Sequence, residues 1–437
     1  MRKASGQVRA WAMYDWANSA YVLTTVTAVL PAYFATAVVP EAGADLLGVR
    51  LAAPTLWALM VGSAALLIFT LAPVLGAAAD YTGSKRAFMT FFCLAGSACA
   101  FMLGFSGPGD VWRTALLFML AQVGFAGANV FYDAFLPVVS PPGKTDWVSG
   151  LGFAWGYIGG GLHFLASLVL IQFAGSLGLD QGQAARIALA TAALWWAGFA
   201  LPALITLRED KPVYELPGEY RRLPRPLAVL RVGLSLAADT LRTLVSRTER
   251  RGAGLFLLAF LLYNDGIQTV IAMATMYGKD ELNLPMSALM LTLLVIQAVA
   301  FGGALLFSRL AERITARRAL LLSLFLWSSV VCYAYFIDSS LEYFVLGALV
   351  GLVLGGSQAL SRSLFAAMIP KEQSAQYFGY FSVVNKLSAI GGPFLFAAIR
   401  HMTGSSRDAI LGVLVLFVSG MVLLWRVRQP EQESVQA

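Results

Sequence analysis

Along its 437 residues the chain alternates between long apolar runs and short polar breaks. The first six runs cover residues 11–38, 54–79, 87–105, 113–139, 148–174 and 184–207. After one longer break come 254–277, 286–307, 319–337, 342–369, 377–399 and 408–427. At 1.5 Å of helical rise per residue, each can cross a hydrocarbon layer of about 30 Å. The pattern predicts an all-α polytopic membrane protein of twelve spans. A six-helix unit (1–207) and a second six-helix unit with a short tail (254–437) flank a linker (208–253).

The breaks repeat. Asp80-Tyr81-Thr82-Gly83-Ser84-Lys85-Arg86 has an echo 232 residues later in Glu312-Arg313-Ile314-Thr315-Ala316-Arg317-Arg318, an acid followed at plus five and plus six by two bases. Asn129 and Asp133 match Gln358 and Arg362 at an offset of 229, as Gly150 matches Gly379, and Gly159-Gly160 match Gly391-Gly392 at 232. An offset of about half the chain indicates two copies of one membrane unit, an architecture shared by many secondary transporters.

Composition agrees with this reading. Hydrophobic residues make up 58% of the chain and charged ones 13%, with a mean hydropathy of +0.71. That is too little charge to cover a water-soluble surface. With both termini inside, 23 of the 31 Lys and Arg fall in cytoplasmic segments, six in external ones, and Arg362 and Lys386 within spans. The bias predicts an inner-membrane protein with cytoplasmic termini. The net charge of +7 is then a topology signal, with anionic lipid as its partner, and not a nucleic-acid footprint. The basic start followed by an apolar run imitates a secretory leader, but Asp15 and Asn18 interrupt the run, which is read as the first span. Cys93, Cys99 and Cys332 lie within spans, the two histidines are isolated, and no nucleotide cradle is seen. No cofactor, metal or enzymatic chemistry is expected, and a monomer is.

The linker opens with four prolines, Pro212, Pro217, Pro224 and Pro226, and is expected to be irregular there. Beyond them Leu227, Leu230, Leu234, Ala237, Leu241 and Leu244 recur at helical spacing. This predicts an amphipathic helix, lying either on the inner leaflet or against the bundle.

Gly76-x-x-x-Asp80-x-x-Gly83-x-Lys85-Arg86 resembles the loop signature between helices two and three of the major facilitator superfamily. Its parts have physical uses. Gly76 lets helices approach, Gly83 permits a tight turn, and Asp80 can hold a base or a helix N-terminus across the two halves when the inner side is closed. Glu312, Arg317 and Arg318 are the matching gate candidates. A narrower resemblance, to the vacuole-effluxer-type branch of that superfamily, rests on four stretches. They are Tyr14-Asp15-Trp16-Ala17-Asn18-Ser19-Ala20-Tyr21; Tyr263-Asn264-Asp265-Gly266-Ile267-Gln268-Thr269; Ala134-Phe135-Leu136-Pro137 with Gly156-Tyr157-Ile158-Gly159-Gly160; and Gln358-Ala359-Leu360-Ser361-Arg362-Ser363-Leu364-Phe365. The resemblance implies a major-facilitator fold and, from fungal members associated with amino-acid export from the vacuole, a substrate class of amino acids or small peptides. Without long loop insertions the chain is similar to the compact bacterial members.

Polar residues within spans are costly and usually have a partner or a task. Asp15, Asn18 and Ser19 share a face of the first span, and Asn264, Asp265 and Gln268 one of the seventh. The amides serve either as glue between helices or as solute contacts. Asp265, near mid-span, is the proton or coupling-ion candidate. Lys386 is expected to pair with Asp265 or to receive an anionic group of the substrate. Asp133 and Arg362 form a candidate inner gate, unless each is satisfied locally. His163 is either a packing residue or a proton relay. The expected function is secondary transport of a small polar solute by alternating access. Lipid or lysolipid translocation on the same fold and a non-transporting sensor or scaffold are the rivals.

Overall fold

The computed structural model describes residues 2–209, 224–246 and 251–427. Among them twelve helices are long and apolar enough to span a membrane. The first six are Gly6–Val38, Ala53–Thr82, Lys85–Leu103, Val111–Val139, Thr145–Gln172 and Gln181–Thr206. The last six are Gly252–Leu282, Met286–Ile314, Ala316–Phe336, Ser340–Met368, Lys371–Thr403 and Ser406–Arg426. Most run past the apolar stretch that marks them, because the backbone ladder continues until a cap or breaker stops it. Asp180 with Gln183, and Ser339 with Glu342, form reciprocal caps that start the sixth and tenth spans. Gly83 ends the second in the left-handed region (φ 57°, ψ 46°), where its N–H bonds back to the carbonyls of Ala79 and Asp80.

With six spans on each side of it, the connecting helix Arg225–Ser246 shares one face of the bundle with both described ends of the chain. This is the linker face. On the opposite face a short hairpin, Ala44–Leu46 paired with Val49–Leu51, joins the first two spans. Leu47 and Gly48 both turn at positive φ there, the backbone a two-residue hairpin requires. Exposed Leu66, Phe91, Phe325 and Trp425 line the outside, where lipid replaces water.

Four spans are irregular: the fourth is interrupted at Phe135 and the twelfth at Val413, and the first and eleventh depart further. The first takes wide π-type turns over Tyr21–Val29 and Phe34–Val38, around Pro31, which has no N–H to donate. The eleventh breaks into Ser374–Leu387 and Gly391–Thr403. Pro393 cannot continue a helix through the break, yet it fits the first turn of the new one, where its missing N–H would have no partner anyway.

On the linker face the halves meet closely. A side-chain carbon at Gly76 would overlap the backbone of Ala375, one at Gly379 that of Ala72 and Pro73, and one at Gly150 the Ser308 side chain. These contacts join the second span to the eleventh and the fifth to the eighth, and small residues make them possible.

The expected irregular linker falls largely on residues 210–223, outside the described residues. The helix after it does pack on the bundle, but the apolar stripe divides. Ala237 and Leu244, with Ala228, Val232 and Thr240, are buried, whereas Leu227, Leu230, Leu234 and Leu241 are exposed. Small residues take the inner face because the backbones approach closely, Gly233 lying against the Val74 carbonyl. From the eleventh span Gln376 donates to the Leu236 carbonyl (2.7 Å) and to the Thr240 hydroxyl, and Tyr380 donates to the Ala237 carbonyl (2.7 Å).

Candidate functional site

Between the halves lies a cavity of about 440 Å³. Its polar lining includes Asp15 and Asn18 of the first span, Asn129 and Asp133 of the fourth, Asn264 and Gln268 of the seventh, Gln358 and Arg362 of the tenth, and Asn385 of the eleventh. Toward the opposite face its walls turn apolar and aromatic, with Ile271, Tyr277, Tyr343, Leu346 and Val350.

Arg362 forms the floor on the linker side. Its guanidinium donates to Asp15 Oδ2 through two nitrogens and to Asp133 Oδ1, each at 3.1 Å. It also donates to the Ser149 hydroxyl at 3.1 Å and the Ser149 carbonyl at 2.9 Å. Every partner belongs to the first half. Trp11 and Phe153 stack on the cation at 4.8 and 4.1 Å. A buried guanidinium is tolerable only with its donors spoken for in this way. With both carboxylates ionised the trio carries one negative charge in excess. A second link across the floor runs from the Tyr157 hydroxyl to Gln358 Oε1 at 2.7 Å.

The loop after the second span closes the linker face below the floor. Asp80 Oδ1 takes the Lys85 ammonium at 2.9 Å. The carboxylate also accepts the backbone N–H groups of Ala375 (3.3 Å) and Gln376 (2.8 Å), at the start of the eleventh span, where negative charge is favoured. Lys85 donates to Ser374 Oγ at 2.9 Å, again across the halves. The Lys85 and Arg86 N–H groups that open the third span are capped by Glu209, at 2.9 and 3.0 Å.

Several expected roles shift. Arg86 does not join Asp80; it reaches the carbonyls of Ile205 and Leu207 at the end of the sixth span. Glu312 pairs with Lys144 across the halves at 2.9 Å, and not with the bases of its own loop. Arg317 is held by the Trp425 and Val427 carbonyls, and Arg318 is exposed. Asp265 and Lys386 do not line the cavity and do not pair. Asp265 Oδ2 instead accepts the Gly392 N–H at 2.8 Å, and the Lys386 side chain forms no ion pair or hydrogen bond among the described residues. The physical reason is one of phase. Asn385, not Lys386, faces the cavity, where it accepts the Asn264 amide at 2.8 Å, and one residue along a helix is a turn of about 100°. His163 is also outside the cavity, within hydrogen-bond reach of Thr24 (2.9 Å) and Thr191 (3.3 Å) and edge-on to Trp195, a packing position.

Asn18, Asn264, Gln268 and Asp15 are in the lining, Asn18 donating to Asn129 at 2.9 Å. The sequence reading did not single out Asn129, Gln358, Tyr157 or Asn385 as site residues. For Asn129 and Gln358 a signal existed, since they stand at matched repeat positions. Ser149 offered none, because a serine in a span is commonplace. Among the described residues no group of three or more His, Cys, Asp or Glu is placed to hold a metal ion.

Comparison with known proteins agrees with the fold. The sequence model of the family described as "Vacuole effluxer Atg22 like" matches residues 3–436. A protein of Bacillus subtilis (strain 168), named only as the MFS-type transporter YxiO, is 34% identical, with 99% of this chain and 97% of that protein covered. Autophagy-related protein 22 of Coccidioides immitis is 24% identical over 82% of this chain and 70% of its own length. Among solved structures, the major facilitator transporter FucP superimposes with a TM-score of 0.69 at 13% identity, covering 98% of this chain and 99% of FucP. The human organic anion transporter MFSD10 gives 0.68 at 16%, covering 97% and 99%. At such identities the structures speak for the fold alone.

Proposed function

This chain belongs to the Atg22-like vacuole effluxer family and is a major-facilitator-type membrane transporter, and we propose that it carries a small zwitterionic solute, with amino acids as the leading class, by alternating access. The observation that carries this reading is the floor. Arg362 from one half is held by Asp15, Asp133 and Ser149 from the other, so the groups that close the linker face also line the cavity. A solute carboxylate can compete for Arg362, and its ammonium can satisfy the carboxylates left behind. Occupancy and closure then draw on the same charges, the differential contact that alternating access needs. The surrounding amides Asn18, Asn129, Asn264 and Gln358 suit a small polar ligand. The linker face, which carries the basic excess, is assigned to the cytoplasm.

Proton coupling is part of the proposal, because carboxylates at the floor and within the seventh span can carry a proton across with the solute. The test is counterflow in proteoliposomes with a panel of labelled amino acids, in competition with lysolipids. Saturable amino-acid counterflow that Arg362→Gln abolishes is expected. Lysolipid flux without amino-acid flux would favour the rival reading, to which the apolar upper walls are suited.

A further inference from the structure

The break in the eleventh span is read most clearly beside its counterpart in the first half. Gly159 and Gly160 sit within the unbroken fifth span and lie against Trp16 and Ser19 of the first. Their repeat equivalents, Gly391 and Gly392, open the second segment of the eleventh span and lie against Asp265 and Thr269 of the seventh. Where one half has a continuous helix against a tryptophan and a serine, the other has a severed helix against a carboxylate and a threonine.

That carboxylate is incompletely satisfied. Asp265 Oδ2 accepts a single hydrogen bond, from Gly392 N–H at 2.8 Å. Oδ1 is buried without a hydrogen-bond partner in the described residues, and the residue is only 7% exposed. Thirteen residues separate it from the start of the seventh span at Gly252, about 20 Å of helix. Apart from Lys386, the charged groups on the elements around it are committed elsewhere or lie on the opposite face. Arg362 is taken by Asp15 and Asp133, Arg400 by Asp280, and Arg407 by Glu281 and Asp338. Glu342 and Asp408 stand in the first turns of their helices on the opposite face. Lys386, on the first segment of the same broken span, forms no bond to it. A carboxylate is an acceptor only, so an orphaned buried oxygen leaves its charge without compensation, whereas a proton there removes the charge and supplies a donor. The cavity is close at hand, since Asn264 and Gln268 on the same helix line it.

We propose that Asp265 is a proton-binding site that works the break in the eleventh span. Ionised, it clamps the Gly392 N–H and the positive end of the segment Gly391–Thr403 against the seventh span. Protonated, it gives up the charge-assisted part of that bond and frees the segment to pivot about Ser388–Ile390. The backbone at the pivot carries its own bonds, Ser388 N–H to the Val384 carbonyl and Ile390 N–H to that of Leu387, so the turn persists while the second segment moves. The proposal rests on the transporter reading for the use made of the proton, but its test needs no solute.

The experiment is hydrogen–deuterium exchange on the purified full chain at acid and neutral pH, with rates corrected for intrinsic chemistry. The peptide covering 387–393 should lose protection roughly tenfold or more on acidification, while the one covering 156–161 does not. Asp265→Asn, which keeps the shape but cannot be charged, should show the unprotected behaviour at both pH values. Asp265→Ser, which removes the carboxyl and leaves a small polar group, is the second variant should the amide fold poorly. Protection at 387–393 that is independent of pH in the wild-type protein overturns the proposal, as does a pH-dependent loss that persists in either variant. Failure of the transporter reading would appear separately, as absence of solute flux with the exchange result intact.

Discussion

The loops that follow the second and eighth spans descend from one pattern and close the linker face in different ways. In the first, Asp80 and Lys85 are 5% and 8% exposed and hold the N-terminus of the eleventh span. In the second, the ion pair crosses to Lys144 and is open to solvent, with side-chain exposures of 29% for Glu312 and 54% for Lys144. The turns differ as well. Gly83 takes its left-handed conformation freely, whereas Thr315, at the matching position 232 residues on, holds φ 85° and ψ 147°, which a β-branched residue adopts only under strain. One pattern thus yields two contacts between the halves, one buried and one open to solvent.

The floor that both loops flank bounds the comparison from above. Arg362→Gln leaves Asp15 and Asp133 without a counter-charge and should cost linker-face closure about 3–5 kcal/mol. Labelling of a cysteine placed at the buried Ala366, with Cys93, Cys99 and Cys332 replaced, reads the opening. If Asp133 contributes through Arg362, a double-mutant cycle on the same readout will be non-additive, and the swap Asp133→Arg with Arg362→Asp will recover part of the loss. Strict additivity would mean that their 3.1 Å contact does no work.

The next largest effect belongs to the buried loop. Asp80→Asn removes the ion pair and weakens the cap on the eleventh span, for a cost of about 2–3 kcal/mol by the same labelling. A loss as small as that at Glu312 would erase the distinction between the two locks. The strained turn gives an effect of opposite sign. Thr315→Gly should stabilise the protein by about 1 kcal/mol, seen as a higher thermal midpoint, since the conformation that burdens threonine is open to glycine. The smallest change is expected for Glu312→Gln, at most about 1 kcal/mol and vanishing in high salt, because an exposed pair is screened.

Much of this was legible in the chain. The spans follow from the lengths of the apolar runs, and the meeting of Asp133 with Arg362 was expected from their equal repeat positions and opposite charge. Asp80 was expected to hold a base or a helix N-terminus, and it holds one of each. What could not be read was phase. Asn385 and Lys386 are adjacent in sequence, and only the packing of the eleventh span on the seventh shows that the amide faces the cavity. Asp15, expected to serve substrate or coupling, also partners Arg362, because three helices converge at a point that no linear spacing reveals. The symmetry that exposed the second loop also misled there, since repeats conserve backbone paths more than the partners of individual side chains.

Among the described residues the helix Arg225–Ser246 stands outside both six-span units. It packs along the second span, with Gly233 against the Val74 carbonyl and Ala78, and is hydrogen-bonded to the eleventh through Gln376 and Tyr380. Its outer edge carries Leu227, Leu230, Leu234 and Leu241. An apolar edge of this kind suits the lipid interface, so the segment that joins the two halves is also placed to moor the linker face to the bilayer.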